Sequence, residues 1–450
     1  MTVHVSPECS AHQPGDTPAP LTRVLWCDNA GLTRAKSVTG ATWPDTLRNG
    51  VGISMGQQAL PMMMDAVQPA SGLSAVGEVR LVPDPDTLVA LPYLPGIAAA
   101  IGDMRTLDGQ AWGHCPRAFL KRQVAEAARL GFEVMASFEN EYYLFRGDEP
   151  LDHSTYATLA GFVPAHEVTL DILAALAAQG LTPEMYYPEA GPGQQEISIT
   201  PARGVSAADR QVLFKATVNA VAVRHGLRAS FAAKPVLTGA GSGCHIHLSL
   251  WREGRNAFHD SEGELGLSDV ARHAIAGVLE HQAGLCALTV PTVNSYRRLE
   301  PGWWAGAYAC YGLDNREASV RVASTHLLPG ASGNSTNFEL KTCDGAANPY
   351  LALGGLLASA LDGVRRRLDP GPPLAVAPGA LSDAEREERG IRPLPSSLPD
   401  AVAALRGDAV LLEALGPDLT RSFTAVREAE AAYFAQQPED VELALHRFAY

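Results

Sequence analysis

The sequence predicts a mixed fold of the α/β or α+β type, with a small, mostly β unit ahead of a larger one. Three observations carry this. Between Leu21 and Met104 the apolar residues fall in short strand-like runs divided by turn signals. From Cys115 onward, helix-period stretches interleave with strand-like ones. The composition, 46% hydrophobic and 19% charged over 450 residues, is that of a folded chain long enough for more than one domain.

Residues 1–20, with four prolines, read as a loose tail. Val24-Leu25-Trp26 then leads into a turn at Asp28-Asn29-Ala30-Gly31, followed by a strand-like run from Arg34 to Val38. Val79–Val82 and Leu88–Leu91 flank a second turn, Pro83-Asp84-Pro85-Asp86. Pro116 suits a first helical turn, and Leu120, Val124, Ala127 and Leu130 mark one helical face as far as Gly131. Residues 133–145, 194–200, 229–237 and 244–250 read as strands. Residues 166–179, 206–226, 268–287, 346–366 and 420–436 read as helices, and Pro-rich 369–378 as a surface loop.

Net charge is −14, which argues against a nucleic-acid partner, because phosphate binding needs a basic face. The acidity fits a solvated surface and also a carboxylate-rich cation site. Seven cysteines lie at 9, 27, 115, 244, 286, 310 and 343 with no CxxC spacing, as expected of reduced thiols in a cytoplasm. No apolar run reaches membrane-spanning length, and no signal peptide is expected at the N-terminus.

Five segments concentrate chemistry. In Phe138-Glu139-Asn140-Glu141-Tyr142, the strand period puts Glu139 and Glu141 on one face of an apolar run. Like charges so placed need either water or a cation between them. In Glu189-Ala190-Gly191-Pro192-Gly193-Gln194-Gln195-Glu196, a glycine-rich turn carries two carboxylates to the start of a strand. In Gly239-Ala240-Gly241-Ser242-Gly243-Cys244-His245-Ile246-His247-Leu248-Ser249, two histidines share a strand face, as in a metal or phosphate site. That glycine pattern precedes a strand, so it is not a dinucleotide fingerprint. Asn294-Ser295-Tyr296-Arg297-Arg298 and Asn315-Arg316-Glu317-Ala318-Ser319-Val320-Arg321 supply arginines suited to carboxylate and phosphate. Asn337-Phe338-Glu339-Leu340-Lys341 runs on to Asn348-Pro349-Tyr350 and a helix.

The order of these motifs resembles that of the glutamine synthetases, from about Asp28 to the C-terminal region, with Leu81-Val82-Pro83-Asp84 fitting as well. The resemblance implies an α+β fold: a tail at 1–20, an N-terminal β-grasp domain at 21–110, and a catalytic domain at 111–450 with a curved antiparallel sheet and surrounding helices. It also implies a cytoplasmic dodecamer of two hexameric rings, with the active site between subunits and two or three Mg²⁺ or Mn²⁺ ions in each. By motif position, Glu141, Glu189 and Glu196 resemble the ligands of one ion, and Glu139, His245 and Glu339 those of the ion at the nucleotide phosphates. Such hard donors favour Mg²⁺ or Mn²⁺ over structural zinc. Arg316 and Arg321 match positions that contact the transferring phosphate. Glu184, His247 and Ser249, with Arg321, match ATP-site positions. Arg298, Gly241, Lys341, Trp304 and Tyr156 match substrate-binding positions, with Arg298 gripping the amino acid's carboxylate.

The departures are equally informative. Where the family's Asp-Gly-Ser turn helps bind ammonium, this chain has Ser54-Met55-Gly56-Gln57. The flap glutamate six residues after the arginine matched by Arg298 is Trp304, beside Trp303. Ala240 replaces an asparagine, Lys341 an arginine, and Gly333-Asn334-Ser335-Thr336-Asn337 a basic stretch. No tyrosine stands near Leu394-Pro395-Ser396-Ser397-Leu398, so adenylylation is not expected. A complete metal core beside a neutral ammonium pocket implies an organic amine as acceptor, giving a γ-glutamylamide. The neutral replacements favour a monoamine such as ethanolamine over a polyamine. Plain glutamine synthesis from ammonia, or a catalytically impaired binding protein, are the other readings.

Overall fold

The computed structural model describes residues 19–450; all but the end of the expected tail lies outside them. Two sheets organise the chain. The first has six strands, with Thr33–Thr39, Leu21–Cys27, Ile97–Arg105, Glu78–Pro83 and Val51–Ser54 in that spatial order. Leu21–Cys27 runs parallel to Ile97–Arg105 and the other pairs are antiparallel. The expected strand at Leu88–Leu91 shrinks to Val89–Ala90. Val24, Trp26, Ile53, Val79 and Leu81 alternate inward against Trp43 of a short helix, Trp43–Asn49. The mixed pairing with one packed helix is the β-grasp arrangement.

The second sheet has twelve strands, and its central member is Glu133–Arg146. Cys244–Arg252 pairs with it on one side and Gln194–Ile199 on the other. Phe338–Leu340, Ala318–Val322 and Tyr308–Leu313 follow beyond Cys244–Arg252, and Pro183–Pro188 closes the other side. The sheet is not wholly antiparallel: Tyr308–Leu313 and Ala318–Val322 are parallel. Parallel neighbours ordinarily need a crossover of about a dozen residues. Here only residues 314–317 make the return, a link that carries Arg316 and turns within itself, the Ala318 N–H donating to Asn315 O at 3.2 Å. Strands and helices segregate to different faces instead of alternating in βαβ units, which makes the fold α+β.

Alternation along the central strand divides labour. Phe138, Asn140, Tyr142 and Leu144 are buried on the helix side. There Asn140 and Gln211 of helix Ser206–Arg224 exchange hydrogen bonds at 2.8 and 2.6 Å, so neither buried amide is left unpaired. Helices Asp269–Thr289 and Pro349–Arg366 cross at Gly277 and Gly363, where a Cβ on either glycine would enter the other helix's backbone. The strand expected at 229–237 ends at Ser230. Beyond it, backbone groups find partners outside any ladder: the Lys234 N–H donates to Asn294 Oδ1 and the Ser242 N–H to Ala233 O, while Pro235 has no N–H to give.

Arg117, at the start of helix Pro116–Arg129, joins the two halves. Its guanidinium donates to Asp84 (2.9 Å) and Asp103 (2.8 Å) of the N-terminal region and to both oxygens of Asp209 (2.9 and 2.8 Å). Tyr350 Oη donates to Asp209 as well, at 2.7 Å. Burial alone would raise the Asp84 pKa, but Arg117 pulls it below the ordinary carboxylate value.

His281 is a second junction, its Nδ1 2.8 Å from Asp408 and its Nε2 3.0 Å from Asp362. Burial opposes a charge there, yet the two carboxylates outweigh it and raise the pKa. A raised folded-state pKa gives stability that is present below the unfolded histidine value, about 6.5, and is lost as pH climbs through the folded value. His281→Asn should therefore cost about 2 kcal/mol at pH 6 and clearly less at pH 9, measured by urea unfolding at both pH values.

Among the described residues, six cysteines are buried thiols with no disulfide. None of the described helices is long and apolar enough to cross a membrane.

Candidate active site

Strand register brings the distant motifs together. Across the sheet, Glu139 lies opposite His245, Glu141 opposite Glu196, and Glu339 opposite both His247 and Arg321. Residues two apart on a strand share a face, so these neighbouring rows place four carboxylates, two imidazoles and a guanidinium on one surface. Glu189 joins from the turn between Pro183–Pro188 and Gln194–Ile199, its backbone N–H bonded to Gln194 O and its carboxylate accepting the Ala190 N–H at 2.7 Å.

The charges on this surface are unevenly balanced. Glu339 is buried, yet Lys341, His245 and Arg321 surround it; burial is outweighed and its pKa falls well below the ordinary value. Arg321 Nε donates to one of its oxygens, and Lys341 Nζ stands 3.5 Å from the other. His247 presents Nε2 to Glu139 Oε2 (3.0 Å) and Nδ1 to Asn337 Oδ1 (2.9 Å). Burial opposes its charge, but these acceptors carry the pKa up to about 9. Glu139 is correspondingly held at about 2 despite burial. On the other side, Glu196 and Glu189 form no salt bridge among the described residues. Burial and the neighbouring Glu139 and Glu141 push Glu196 well above the usual range, and burial with Glu141 pushes Glu189 up to about 7. Glu196 has the Tyr187 hydroxyl as a donor, at 2.5 Å.

The cation expectation can be tested against one atom. His245 Nδ1 is buried and makes no hydrogen bond, although Glu339 Oε1 is 2.9 Å away. Two ligands at adjacent corners of an octahedral Mg²⁺ with bonds near 2.1 Å stand about 3 Å apart. The misdirected contact, the excess of carboxylates and the oxygen-rich donors fit a hard divalent cation. Glycine provides the space: a Cβ on Gly243 would come within 2.9 Å of both Glu141 Oε1 and Arg298 Nη2. One detail differs from expectation. The donors that lie within 4.8 Å of one another are those of Glu139, Glu339 and His247, the histidine expected at the nucleotide. Both histidines flank the Glu139–Glu339 pair, because they are two apart on one strand.

Beside this cluster, a cavity of about 930 Å³ is lined by Glu139, Glu184, His247, Ser249, Arg316 and Arg321, among others. All three expected nucleotide-site residues and both phosphate-site arginines thus face one space, large enough for a nucleotide-sized ligand. The replaced basic stretch, through Asn334–Asn337, forms part of its wall. The remaining expectations fare unequally. Tyr156 is exposed, its ring 5.9 Å from that of Tyr187, and Glu189 leads the charges that raise its hydroxyl after desolvation. Lys341 is spent on Glu339. Arg298, expected to grip a carboxylate, has its terminal nitrogens committed to the carbonyls of Lys341, Thr342 and Cys343 (2.7–3.3 Å) and to His245 Nε2 at 3.3 Å. Gly241 admits the Arg298 stem, which its Cβ would meet at 2.5 Å. Met55 packs with the N-terminal sheet of its own chain, against Gly77.

Trp304 sits on the loop after Arg298 with φ of 58°, a left-handed conformation that costs a bulky residue about 1–3 kcal/mol. Its N–H donates to Glu317 Oε1 at 2.8 Å and its ring is 6.0 Å from the Arg316 guanidinium. Sequence reasoning missed Tyr187, Gln194, Asn337 and Glu317. Gln194 ties Glu141 (3.1 Å) to Gly241 O (3.0 Å) and Ser242 Oγ (3.1 Å), and only its place in the Gly-Gln turn hinted at this.

The comparisons agree with this geometry. Residues 113–446 match the glutamine synthetase catalytic domain and residues 12–112 the glutamine synthetase N-terminal domain. The chain is 38% identical to the gamma-glutamylpolyamine synthetase GlnA3 of Streptomyces coelicolor, over 95% of this chain and 93% of that one. It is 39% identical to the glutamine synthetase of Thermus thermophilus, over 78% and 81%. Among solved structures, a glutamine synthase homolog superposes with a TM-score of 0.87 at 32% identity, covering 96% and 99% of the two chains. A GmaS/ADP complex superposes with a TM-score of 0.82 at 31% identity, covering 95% and 96%. With the motifs, the fold and the clustered donors in agreement, the chain belongs to the glutamine synthetase family and is, like it, an ATP-dependent carboxylate–amine ligase.

Proposed function

We propose that this ligase activates the γ-carboxylate of glutamate with ATP and condenses it with an organic amine, giving a γ-glutamylamide, ADP and phosphate. The observation that carries the reading is the pairing of an intact carboxylate and histidine core with a mouth where Trp303 and Trp304 stand in place of an acid. A bare ammonium ion needs negative charge around it, whereas an alkylamine can gain from apolar and aromatic contact. The names of the Streptomyces coelicolor and GmaS relatives support chemistry beyond ammonia.

In this reading Glu141, Glu189 and Glu196 would hold one divalent ion, and Glu139, His245 and Glu339 another. Mg²⁺ or Mn²⁺ bound there neutralises charge on the phosphate and acceptor oxygens. The chain's own groups do the rest. Arg316 and Arg321 face the cavity where the γ-phosphoryl would pass. Glu184, His247 and Ser249 line the nucleotide's space. Tyr156, Gly241, Lys341 and Trp304 surround glutamate and the amine. Arg298 would recruit a carboxylate only by releasing some of its carbonyl partners. The carboxylate attacks the γ-phosphorus, ADP departs, the amine nitrogen attacks the acyl phosphate, and phosphate leaves with loss of one amine proton. The same reading takes residues 21–110 and 111–450 as the two domains. It places Met55 at a neighbouring subunit's site in a cytoplasmic dodecamer of two hexameric rings.

A monoamine is the preferred acceptor, because the replacements at the mouth are neutral and a polyamine's further charges would want acids. The polyamine reading is favoured by the GlnA3 relative. Phosphate release with ATP, Mg²⁺ and glutamate across a panel of ammonium, methylamine, ethanolamine and putrescine, with mass detection of the amide, separates these readings. Turnover with ethanolamine should exceed that with ammonium by at least about tenfold in kcat/KM. Turnover with ammonium and with none of the organic amines would refute the proposal.

A further inference from the structure

We propose that Glu317 is a positioning residue: its carboxylate latches the Trp303-Trp304 loop across the mouth of the site and so sets the affinity for an amine that carries an apolar arm. The inference rests on the acceptor reading above. Four observations carry it. First, one carboxylate receives two backbone amides from the same turn, Gly302 N–H at 2.9 Å and Trp304 N–H at 2.8 Å. Charge-assisted bonds of this kind are the strong ones. Second, they hold a backbone that would not adopt this shape on its own account, since Trp304 is left-handed while Gly302 (φ 85°) and Gly306 (φ 71°) turn the chain on either side.

Third, Glu317 belongs to the short link between the parallel strands and directly follows Arg316. The latch therefore fastens the tryptophan loop to the segment that bears a phosphate-side arginine. Fourth, the two indoles are not core residues. Trp303 is 54% and Trp304 56% exposed, and each lies near a cation of its own chain, Lys234 Nζ at 5.0 Å and Arg316 at 6.0 Å. Two adjacent exposed tryptophans on strained backbone do not serve packing. They form an apolar wall, and the cations beside it leave the hydrocarbon part of an acceptor, not a second charge, as what the wall can take up.

The test uses the full-length protein and its variants Glu317→Ala, Glu317→Gln and Trp304→Gly, with ethylamine as the armed acceptor and ammonium as the armless one. Glu317→Ala should raise the ratio of KM for ethylamine to KM for ammonium about tenfold, with kcat changed much less. Glu317→Gln, which keeps one acceptor oxygen, should fall between. Trp304→Gly should raise the ratio similarly, and the double variant Glu317→Ala/Trp304→Gly no further, because both changes remove one function. Equal increases in KM for ethylamine, ammonium and ATP would mean a merely structural residue and overturn the proposal, as would an unchanged ratio. Acrylamide quenching of tryptophan fluorescence tests the latch without turnover. Glu317→Ala should expose the indoles further, and an unchanged quenching constant would overturn the latch even if the wild type proved to use ammonium alone, which would sink only the acceptor reading.

Discussion

Exchanging Glu196 for glutamine is expected to lower ligase turnover by about 10³-fold while making the metal-free protein more stable. The two effects have one cause. Glu196 is buried beside Glu139 and Glu141, and its charge is compensated by a tyrosine hydroxyl alone. Without a cation, that charge is repelled, on the order of 1–4 kcal/mol for a like charge a few ångströms away at an effective dielectric near 20. Glutamine keeps the shape and an oxygen for Tyr187 but removes the charge. With a cation, the same charge is what neutralises the site. Thermal melts in chelator should therefore place Glu196→Gln above the wild type, and melts in excess Mg²⁺ should reverse the order, because the ion stabilises only the chain that binds it. A variant that melts lower in chelator, or that keeps its turnover, would contradict the assignment of Glu196 to a cation.

Replacing Arg117 by leucine should destabilise the protein by about 3–5 kcal/mol without touching the site directly. Its guanidinium serves Asp84, Asp103 and Asp209 at once, and its side chain is 5% exposed. Leucine would leave buried Asp209 with Tyr350 as its side-chain donor, and Asp84 and Asp103 with Lys121 alone as a cation, 3.5 and 2.5 Å away. The loss also has a pH signature. The lowered pKa of Asp84 means stability that is present above the unfolded value, about 3.9, and lost as pH falls through the folded one. Arg117→Leu should thus unfold earlier in urea at pH 7 and depend less steeply on pH below 5. Arg117→Leu/Asp209→Asn should recover part of the loss, since it removes the stranded charge along with its partner.

The central features of the site were legible because they obey the strand period. Glu139 and Glu141, like His245 and His247, are separated by one residue, and two-residue alternation requires each pair to share a face wherever a strand forms. Helix positions were legible for the same reason, from a 3.6-residue recurrence that burial reproduces. What local pattern does not carry is partner choice. The strand expected at 229–237 stops at Ser230, and beyond it Asn294, sixty positions from Lys234, takes the Lys234 amide. The parallel pairing across residues 314–317 had no sequence signal, since so short a connection reads as an antiparallel turn. Asn337 and Glu317 looked like loop polarity, and their roles follow from what the folded chain sets opposite them. Arg298 stands beside the cluster, its Nη2 3.3 Å from His245 Nε2, but its carbonyl partners are backbone groups that any sequence would supply.

The register that lines up the donors also orders events in the life of the chain. Glu139 and His247 are 108 residues apart, and Glu339 reaches His247 through yet another strand. The proposed set Glu139, His245 and Glu339 is complete only once the strand of Glu339 exists, whereas Glu141, Glu189 and Glu196 already meet within residues 133–199. An ion held by Glu139, His245 and Glu339 would therefore be captured late, as a lock on a sheet already in register. Its energetic hold would fall on escape from the native state and not on the search that reaches it.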